Sequence, residues 1–371
     1  MPTTDRTRPI IIGCETHAME NKDFLTGIER VVVETHSGLT ELGPLGNLKF
    51  QRVHSAGLPA SQAFAGHQGL ASDPVLRSPL SELDDVSAVL VLDLTPSISW
   101  RAILEQRAKR HFPVIFMIHD VLPLTNPEWF AGDTNSKRNF RVYAQQGLHV
   151  ADVVIVSSEK VKQDLHNLGW KIPGKILVVP LGSIHPPRPP SKRDADSISL
   201  LYVTTLAPRK GHWRLLDAFD LLRSRGSDVS LTLVGRPGWD SDDLFSRIRH
   251  HPDFAGRLKW FPSASDQQVI SHAAQSTVAV IPADDEGFGM FLEEALSLGL
   301  KVVASDIPVF RERAQKNVFF APLNFTSLAD TILEAAETPW RTIERGEINT
   351  MRDFASGVYD AIRAELKTPS R

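Results

Sequence analysis

The chain has 371 residues, about twice the length of a typical domain, so two ordinary cores joined by a linker are expected. Its net charge is -3, with both signs interspersed along a sequence that is 23% charged, which argues against a nucleic-acid-binding protein. No run of about 18 uncharged apolar residues is present, and the single cysteine, Cys14, excludes an internal disulfide.

The N-terminal segment MPTTDRTRPI lacks the apolar core and the cleavage site of a signal peptide, so we expect a cytoplasmic protein. One predicted helix carries four basic residues, Arg101, Arg107, Lys109 and Arg110. A basic helix of this kind is usually a solvated face, and the alternative is contact with anionic lipid. Peripheral attachment at the inner face of a membrane therefore stays open.

The N-terminal half alternates short β-branched runs with segments of helical periodicity. In chain order these are PIIIGCE, GIERVVVETHSGL, LKFQRV, SAVLVLDL, PVIFMIHD, ADVVIVSS, VKQDLHNLG and ILVVPLG. Continuous apolar strands between amphipathic helices are typical of a parallel sheet that is covered on both faces. We therefore predict a Rossmann-like domain over residues 1–185.

The alternation stops at residues 186–198, where PPRPPSKRDAD has the composition of an exposed, stiff linker. It restarts with SLLYVTT, HWRLLDAFDLLRSRG, VSLTLVG, RLKWFPS, QQVISHAAQ, TVAVIPA, GMFLEEALSLG, KVVASD, VFFAP and SLADTILEAAE. This pattern predicts a second domain over residues 199–339, followed by an amphipathic helical segment, 340–371, that can cross back to the first domain. The predicted fold class is α/β, with two doubly wound domains facing each other across a cleft.

Two cations follow the strand SLLYVTT, Arg209 and Lys210. Arg209 offers a planar fork of donors and Lys210 a mobile point charge, a combination suited to a diphosphate leaving group. Judged alone, the two residues are more often an ordinary exposed pair.

A second candidate segment follows the strand TVAVIPA, where Glu286 precedes a pair of glycines, Gly287 and Gly289. Glycines allow close approach of a ligand to the backbone, and the helix start beyond them presents free amides to an anion. Within that helix Glu294 lies in the apolar stripe and needs a donor, whereas Glu293 is expected to point outward. A ribose, an arginine or a backbone amide would each satisfy Glu294, and Glu286 can also be a simple first-turn carboxylate.

Three runs, VTTLAPRKGHWRLLDAF, LVGRPGW and IPADDEGFGMFLEEALSLGLKVVASDIPVFRE, are together similar to the donor domain of family 4 of the retaining glycosyltransferases, which have the GT-B fold. The resemblance covers nearly all of residues 199–336. The family's motif of two glutamates separated by seven residues falls on Glu286 and Glu294, and its basic pair on Arg209 and Lys210.

The resemblance implies a nucleotide diphosphate sugar as donor, with the diphosphate held by Arg209 and Lys210 and the ribose by Glu294. The donor sugar is then held by Glu286, Gly287, Phe288 and Gly289. Base contacts are implied near Arg236, Pro262 and Ser263. The sequence departs from the family after Phe310, where RERAQKNVFFAPLN lacks the usual glycine.

The N-terminal half is similar to members of the same family through TGIERVVVE, IHDVLPLTNPEWF and ADVVIVSSEKVKQDL. That subset is rich in mannosyl- and rhamnosyltransferases of bacterial surface polysaccharide synthesis. His119 ends a strand, and the resemblance implies that it reaches the donor sugar, although a strand-end histidine alone is more often structural. Asp120 can orient it or meet the acceptor, with Gly27 and Arg30 on the acceptor and phosphate side.

Asp240, Ser241 and Asp242 resemble a metal-binding triplet, but they follow a turn and open a helix, where aspartate is a good N-cap. We expect no metal and no other cofactor, because two cations and a helix start can neutralise the leaving group. The resemblance implies retention at the anomeric carbon, and since no residue is a convincing nucleophile, a front-face transfer is the expected mechanism.

The predicted function is a retaining hexosyltransferase in polysaccharide or lipopolysaccharide synthesis, with mannose from GDP-mannose as the first choice. The acceptor is a saccharide or a lipid-linked glycan. A sugar-nucleotide epimerase or hydrolase on the same fold, and a non-catalytic nucleotide-sugar-binding protein, remain as alternatives.

Overall fold

In the computed structural model of the chain, the described residues are 10–15, 27–54, 78–82, 85–92, 99–130, 134–189, 197–343 and 346–367. The chain divides into two compact units. Unit 1 is drawn from Met1–Thr125, Thr134–Leu181 and Met351–Arg371, and unit 2 from Asn126–Asp133 and Gly182–Thr350. The residues on which the signal-peptide prediction rests, 1–9, and the linker residues 190–196 lie outside the described ranges.

Unit 1 contains one seven-stranded parallel sheet in the order β3-β2-β1-β4-β5-β6-β7. Its strands are β1 (Ile10–Glu15), β2 (Leu48–His54), β3 (Ser78–Pro79), β4 (Val86–Val91), β5 (Val114–Met117), β6 (Val153–Val156) and β7 (Lys175–Val178). Every residue of β5 and β6 is buried, as expected for strands with helices on both faces. The parallel sheet predicted from the apolar runs is confirmed.

The helices of unit 1 begin with α1 (Gly27–Leu42), α2 (Trp100–Arg110), α3 (Leu122–Thr125), α4 (Thr134–Val150) and α5 (Glu159–Asn167). Helix α2 starts at Ser99, whose side chain accepts a hydrogen bond from the Ala102 amide. Two of its basic side chains bond within unit 1: Arg107 reaches Asp152 at 2.6 Å, and Arg110 donates to the Leu80 carbonyl at 3.0 Å. These contacts give part of the basic helix a role in packing.

A last helix, α12 (Met351–Lys367), belongs to unit 1 and packs on α1. The two helices approach closely, because a Cβ on Gly38 would lie 2.7 Å from the Ala355 Cβ. The helix begins at Met351, later than the start near Trp340 predicted from the periodicity. Its buried face carries the apolar stripe that the sequence predicts: Met351, Phe354, Val358 and Ile362.

Unit 2 contains a six-stranded parallel sheet in the order β10-β9-β8-β11-β12-β13. Its strands are β8 (Ile198–Val203), β9 (Val229–Val234), β10 (Leu258–Phe261), β11 (Val278–Ile281), β12 (Lys301–Ser305) and β13 (Val318–Ala321). Its helices are α6 (His212–Ser224), α7 (Asp242–Arg249), α8 (Asp266–Gln275), α9 (Phe291–Ser297), α10 (Pro308–Arg311) and α11 (Phe325–Glu337). Both units are therefore doubly wound α/β structures. Among the described residues, no helix has the length and apolar character to cross a bilayer.

Candidate active site

The strand order of unit 2 reverses between β8 and β11, which lie side by side although two strands separate them in the chain. The connections from β8 and β11 leave the sheet on opposite faces at such a point, which opens a crevice beyond the strand ends. The segments after β8 and β11 carry the two candidate motifs found in the sequence. The fold therefore brings Arg209 and Lys210 close to Glu286.

The segment after β8 is hydrogen-bonded directly to the segment after β11. A 3₁₀ turn, Pro208–Lys210, ends at Gly211, which has a φ of 69°. A Cβ on Gly211 would overlap the carbonyl oxygen of Pro282, so only glycine fits there. The Asp284 amide donates to the Arg209 carbonyl at 2.8 Å, and Arg214 donates to the Pro282 carbonyl at 2.6 Å. The backbone thus fixes both cations relative to the second loop.

The carboxylate of Glu286 lies between the two cations. Its Oε2 accepts a hydrogen bond from Arg209 Nη1 at 3.0 Å, and its Oε1 is ion-paired with Lys210 Nζ. Arg209 Nη1 also donates to the Asp285 carbonyl at 3.1 Å. The three side chains are only 9% to 14% exposed, so these charges are largely removed from water. The site has one net positive charge among these three groups.

Two opposing effects determine the pKa of Glu286. Burial raises the pKa, but the charges of Lys210 and Arg209 and the hydrogen bonds they donate outweigh it and lower the pKa to about 2. Glu286 is therefore ionised near neutral pH. A second anion that entered this site would compete with Glu286 for the same two cations.

Two buried residues for which the sequence predicts no role contact the segment Pro208–Gly211, called here the cation loop because it carries Arg209 and Lys210. Tyr202, in β8, donates its hydroxyl to the Lys210 carbonyl at 3.0 Å, and burial raises the pKa of this phenol. His212 packs on the Tyr202 ring with centroids 5.0 Å apart. Burial, followed by the charge of Lys210, lowers the pKa of His212 to about 3. A tyrosine one residue before the end of β8 was the available signal.

Helix α9 is buried throughout, and so is part of the loop that precedes it. Gly289 has a φ of 76°, and a Cβ there would lie 2.5 Å from Phe310 Cε1. Phe288 and Glu294 are each 5% exposed, so the predicted burial of Glu294 in the stripe is confirmed. The expectation that Glu293 points outward is wrong, because it is 2% exposed. Helix α9 is packed on all sides, as every one of its seven residues is buried.

The residues implied for base contacts follow β9 and β10, which lie on the side of β8 opposite β11. The Arg236 carbonyl accepts from the Leu206 amide at 2.7 Å, which places the loop after β9 beside the cation loop. Pro262 and Ser263 follow β10 and are exposed. The Gly235 amide bonds to the Phe261 carbonyl at 2.8 Å and links those two strand ends.

The apparent metal triplet has a structural role in the start of α7. Ser241 is the N-cap residue and its hydroxyl donates to the Gly238 carbonyl at 2.8 Å, so the predicted aspartate cap is replaced by serine. Asp240 has a φ of 51° in the preceding turn, and Asp242 lies in the first turn of the helix. Within the described ranges, no cluster of three or more His, Cys, Asp or Glu side chains is arranged to hold a metal ion.

The remaining candidates lie in unit 1. His119 follows β5 and is 8% exposed, and its Nε2 lies 2.8 Å from the Leu92 carbonyl oxygen after β4. Asp120 Oδ1 accepts from the Leu122 amide at 3.1 Å, which starts α3. Gly27 is exposed at the first position of α1, and Arg30 is half-buried one turn later.

The chain resembles known glycosyltransferases in sequence. Residues 186–349 match the family Glycosyl transferases group 1. The chain is 30% identical over 343 residues to the serotype-specific mannosyltransferase WbdA of Escherichia coli. That alignment covers 85% of this chain and 41% of WbdA, so the chain spans about two fifths of the length of this relative.

Solved glycosyltransferase structures share the fold over nearly the whole chain. Sucrose-phosphate synthase from Thermosynechococcus elongatus has a TM-score of 0.64 at 18% identity, covering 97% of this chain and 96% of that one. HepE from Anabaena, in complex with UDP-glucose, has a TM-score of 0.61 at 16% identity, covering 96% and 97%. The predicted GT-B fold class is confirmed by these neighbours.

Proposed function

We propose that the chain is a hexosyltransferase that uses a nucleotide diphosphate sugar, because residues 186–349 match the family Glycosyl transferases group 1. The observation that carries this proposal is the convergence of Arg209 and Lys210 on Glu286 at the point where the sheet of unit 2 reverses order. Mannose from GDP-mannose is the first choice, supported by the similarity to WbdA. The acceptor is a saccharide or a lipid-linked glycan of surface polysaccharide synthesis, reached in the second case at the cytoplasmic membrane face.

The donor diphosphate takes the place of Glu286 as the partner of the two cations. Arg209 and Lys210 then neutralise the charge that grows on the leaving diphosphate, which reduces the need for a metal ion. Glu286, released from the cations, accepts hydrogen bonds from the donor sugar beside the loop that contains Gly287, Phe288 and Gly289. Glu294 binds the ribose, and the base lies near Arg236, Pro262 and Ser263.

The transfer proceeds with retention by attack on the face that the diphosphate leaves. The bond from the anomeric carbon to the phosphate oxygen breaks, the bond to the acceptor oxygen forms, and the acceptor proton passes to the departing phosphate. His119, Asp120, Gly27 and Arg30 contribute on the side of unit 1. A product with inverted anomeric configuration, seen by NMR, would contradict this mechanism.

Thermal unfolding with GDP, UDP, ADP and dTDP, each with and without magnesium, tests the donor site directly. We expect one nucleotide, GDP first, to raise the unfolding temperature to the same extent with and without magnesium. Release of nucleoside diphosphate from the sugar nucleotide should then depend on added acceptor. Release without acceptor would favour a hydrolase, and no thermal shift with any nucleotide would remove the proposal.

A further inference from the structure

Arg313 is a buried arginine next to the loop that we assign to the donor sugar. It follows α10, and its side chain is 10% exposed. Arginine is almost never buried to this degree without a specific partner. It lies in the RERAQKN segment, where the sequence departs from the family, and no role for it follows from the sequence.

The guanidinium of Arg313 contacts Phe288 in two ways. It lies over the Phe288 ring, 3.9 Å from the centroid, and its Nη2 donates to the Phe288 carbonyl oxygen. The Phe310 ring is the next aromatic neighbour, at 5.7 Å. A cation over the ring and a donor to the carbonyl of the same residue restrain both its side chain and its main chain.

Glu293 supplies the opposing charge. Its Oε1 lies 3.9 Å from Arg313 Nη1, and its side chain is 3% exposed. Burial lowers the pKa of Arg313 to about 10 and raises the pKa of Glu293, so the charged form of each group carries a desolvation cost. Buried ion pairs add little stability over apolar packing, so the pair is better explained by the position it imposes than by stability.

The restrained residue sits between two site glycines. Phe288 is flanked by Gly287 and Gly289, and Gly289 occupies a left-handed conformation against Phe310. Glu286, two residues earlier, is close enough for its charge to act on Arg313. A shift of Phe288 would therefore move the backbone and carboxylate that we assign to the sugar.

We propose that Arg313 is a positioning residue for the donor-sugar end of the site, acting through Phe288, with Glu293 as its counter-charge. This inference rests on the proposed function. The site then has two parts: Arg209 and Lys210 bind the diphosphate, whereas Arg313 fixes the position of the loop that contacts the sugar. Loss of Arg313 should then weaken binding of a sugar nucleotide more than binding of the nucleotide alone.

Calorimetric titration of the full chain with GDP-mannose and with GDP tests this separation. We expect Arg313→Met to weaken GDP-mannose binding about tenfold and GDP binding by less than about threefold. Arg311→Met is the matched control, because Arg311 lies two residues earlier, lies over Phe320 at 4.1 Å and pairs with Asp306, and does not contact Phe288. We expect it to change neither affinity by more than about twofold.

Two further variants distinguish positioning from stability. Arg313→Met combined with Glu293→Gln removes both buried charges, so we expect thermal stability to recover while the ratio of the two affinities stays shifted. Arg313→Lys keeps the charge but not the planar fork, and it should restore the ratio only in part. If Arg313→Met does not fold, the double variant is used in its place to measure the ratio of the GDP-mannose and GDP affinities.

The outcomes separate this inference from the proposed function. A wild-type chain that binds neither ligand removes the donor assignment, and this inference with it. Wild-type binding of both ligands, with equal losses of both affinities in the Arg313 variants, would overturn the positioning role alone. Recovery of the wild-type affinity ratio in the double variant would do the same, since stability would then account for the whole effect.

Discussion

Glu286 is ion-paired with both Arg209 and Lys210, and we assign the same two cations to the donor diphosphate. Breaking a buried ion pair costs free energy unless the incoming anion replaces the lost interaction. A diphosphate does so and adds further acceptors, whereas a neutral sugar does not. We therefore expect Glu286 to favour ligands that carry the diphosphate.

Replacing this carboxylate should have opposite effects on binding and on turnover. In Glu286→Gln the cations no longer have a competing charge, so we expect GDP to bind about tenfold more tightly. Transfer should fall at least about tenfold, because the carboxylate that we assign to the sugar is gone. Calorimetric titration with GDP and a transfer assay measure the two effects.

Asp284→Asn is the control for the loss of a negative charge on the same loop. Asp284 is ion-paired with Arg214 and bonds to neither Arg209 nor Lys210 through its side chain. We expect GDP binding to change by less than about threefold in this variant. Weaker GDP binding in Glu286→Gln would show that Glu286 orders the cations more than it competes for them.

His212 makes the stability of unit 2 depend on pH. Its pKa is about 3 in the folded chain, against an ordinary value of 6.5. Between these two values the unfolded chain binds a proton that the folded chain does not. The free energy of unfolding should therefore fall as pH is lowered from 6.5, by up to about 1.4 kcal/mol per pH unit from this group.

Denaturant unfolding of His212→Phe at several pH values from 7.5 to 4.5 checks this contribution. Phenylalanine keeps a ring against Tyr202, so the difference at pH 7.5 reports the change in packing and the loss of the hydrogen bond between His212 and the Ala207 backbone. We expect the variant to lose less stability on acidification than the wild type. Identical pH dependence in the two proteins would contradict the assignment.

Residue types and strand ends were enough to select the cations and glutamates of the candidate site. The ion-pair partners of these residues could not be predicted in this way, because ion pairing depends on which strands become neighbours in the sheet. The sequence predicts a ligand for Arg209 and Lys210, but it does not reveal that both cations pair with Glu286. An outward-pointing Glu293 was expected because most helices have a single apolar stripe. Helix α9 differs, since it is buried on all sides.

The loop from β11 to α9 depends on the glycine at position 289. Gly289→Ala should destabilise the chain for two reasons: the left-handed φ of 76° and the contact of the new Cβ with Phe310 Cε1 at 2.5 Å. Gly226→Ala is the matched control, because Gly226 has a φ of 84° and no atom within 4 Å of an added Cβ. It reports the cost of the backbone conformation alone, about 1 kcal/mol.

Denaturant unfolding of both variants gives the comparison. We expect Gly289→Ala to exceed Gly226→Ala by about 1–3 kcal/mol, the range for overpacking a tight site. Gly289→Ala should also bind GDP-mannose less tightly than the wild type does. Equal destabilisation would show that Phe310 moves aside at little cost.

Most elements follow from the hydrophobic pattern, because buried parallel strands appear as apolar runs. Helix α4, Thr134–Val150, was the main omission, although Tyr143, Ala144 and Leu148 give it a buried stripe with helical spacing. Its many polar residues masked the signal. The late start of α12 was also missed, although two features of the sequence favour it: Gly346, which has a φ of 92°, and the capping pattern from Thr350 to Asp353.

The division into two units predicts that each can be destabilised separately. Phe354 of α12 and Phe219 of α6 are both fully buried, one in each unit. Each phenylalanine-to-alanine substitution should cost about 3–5 kcal/mol in its own unit. Calorimetry should show Phe219→Ala lowering the transition that GDP raises and Phe354→Ala lowering the other. A common shift of a single transition in both variants would contradict independent units.

The return of α12 to unit 1 bears on the order in which the chain folds during synthesis. Domains generally fold as units as the chain emerges from the ribosome. Every segment of unit 2 has been made before residue 351, whereas unit 1 still lacks the helix that packs on α1. Unit 2 is therefore the first to be complete, and until α12 arrives a nascent unit 1 exposes the apolar face of α1, a surface on which a chaperone can act.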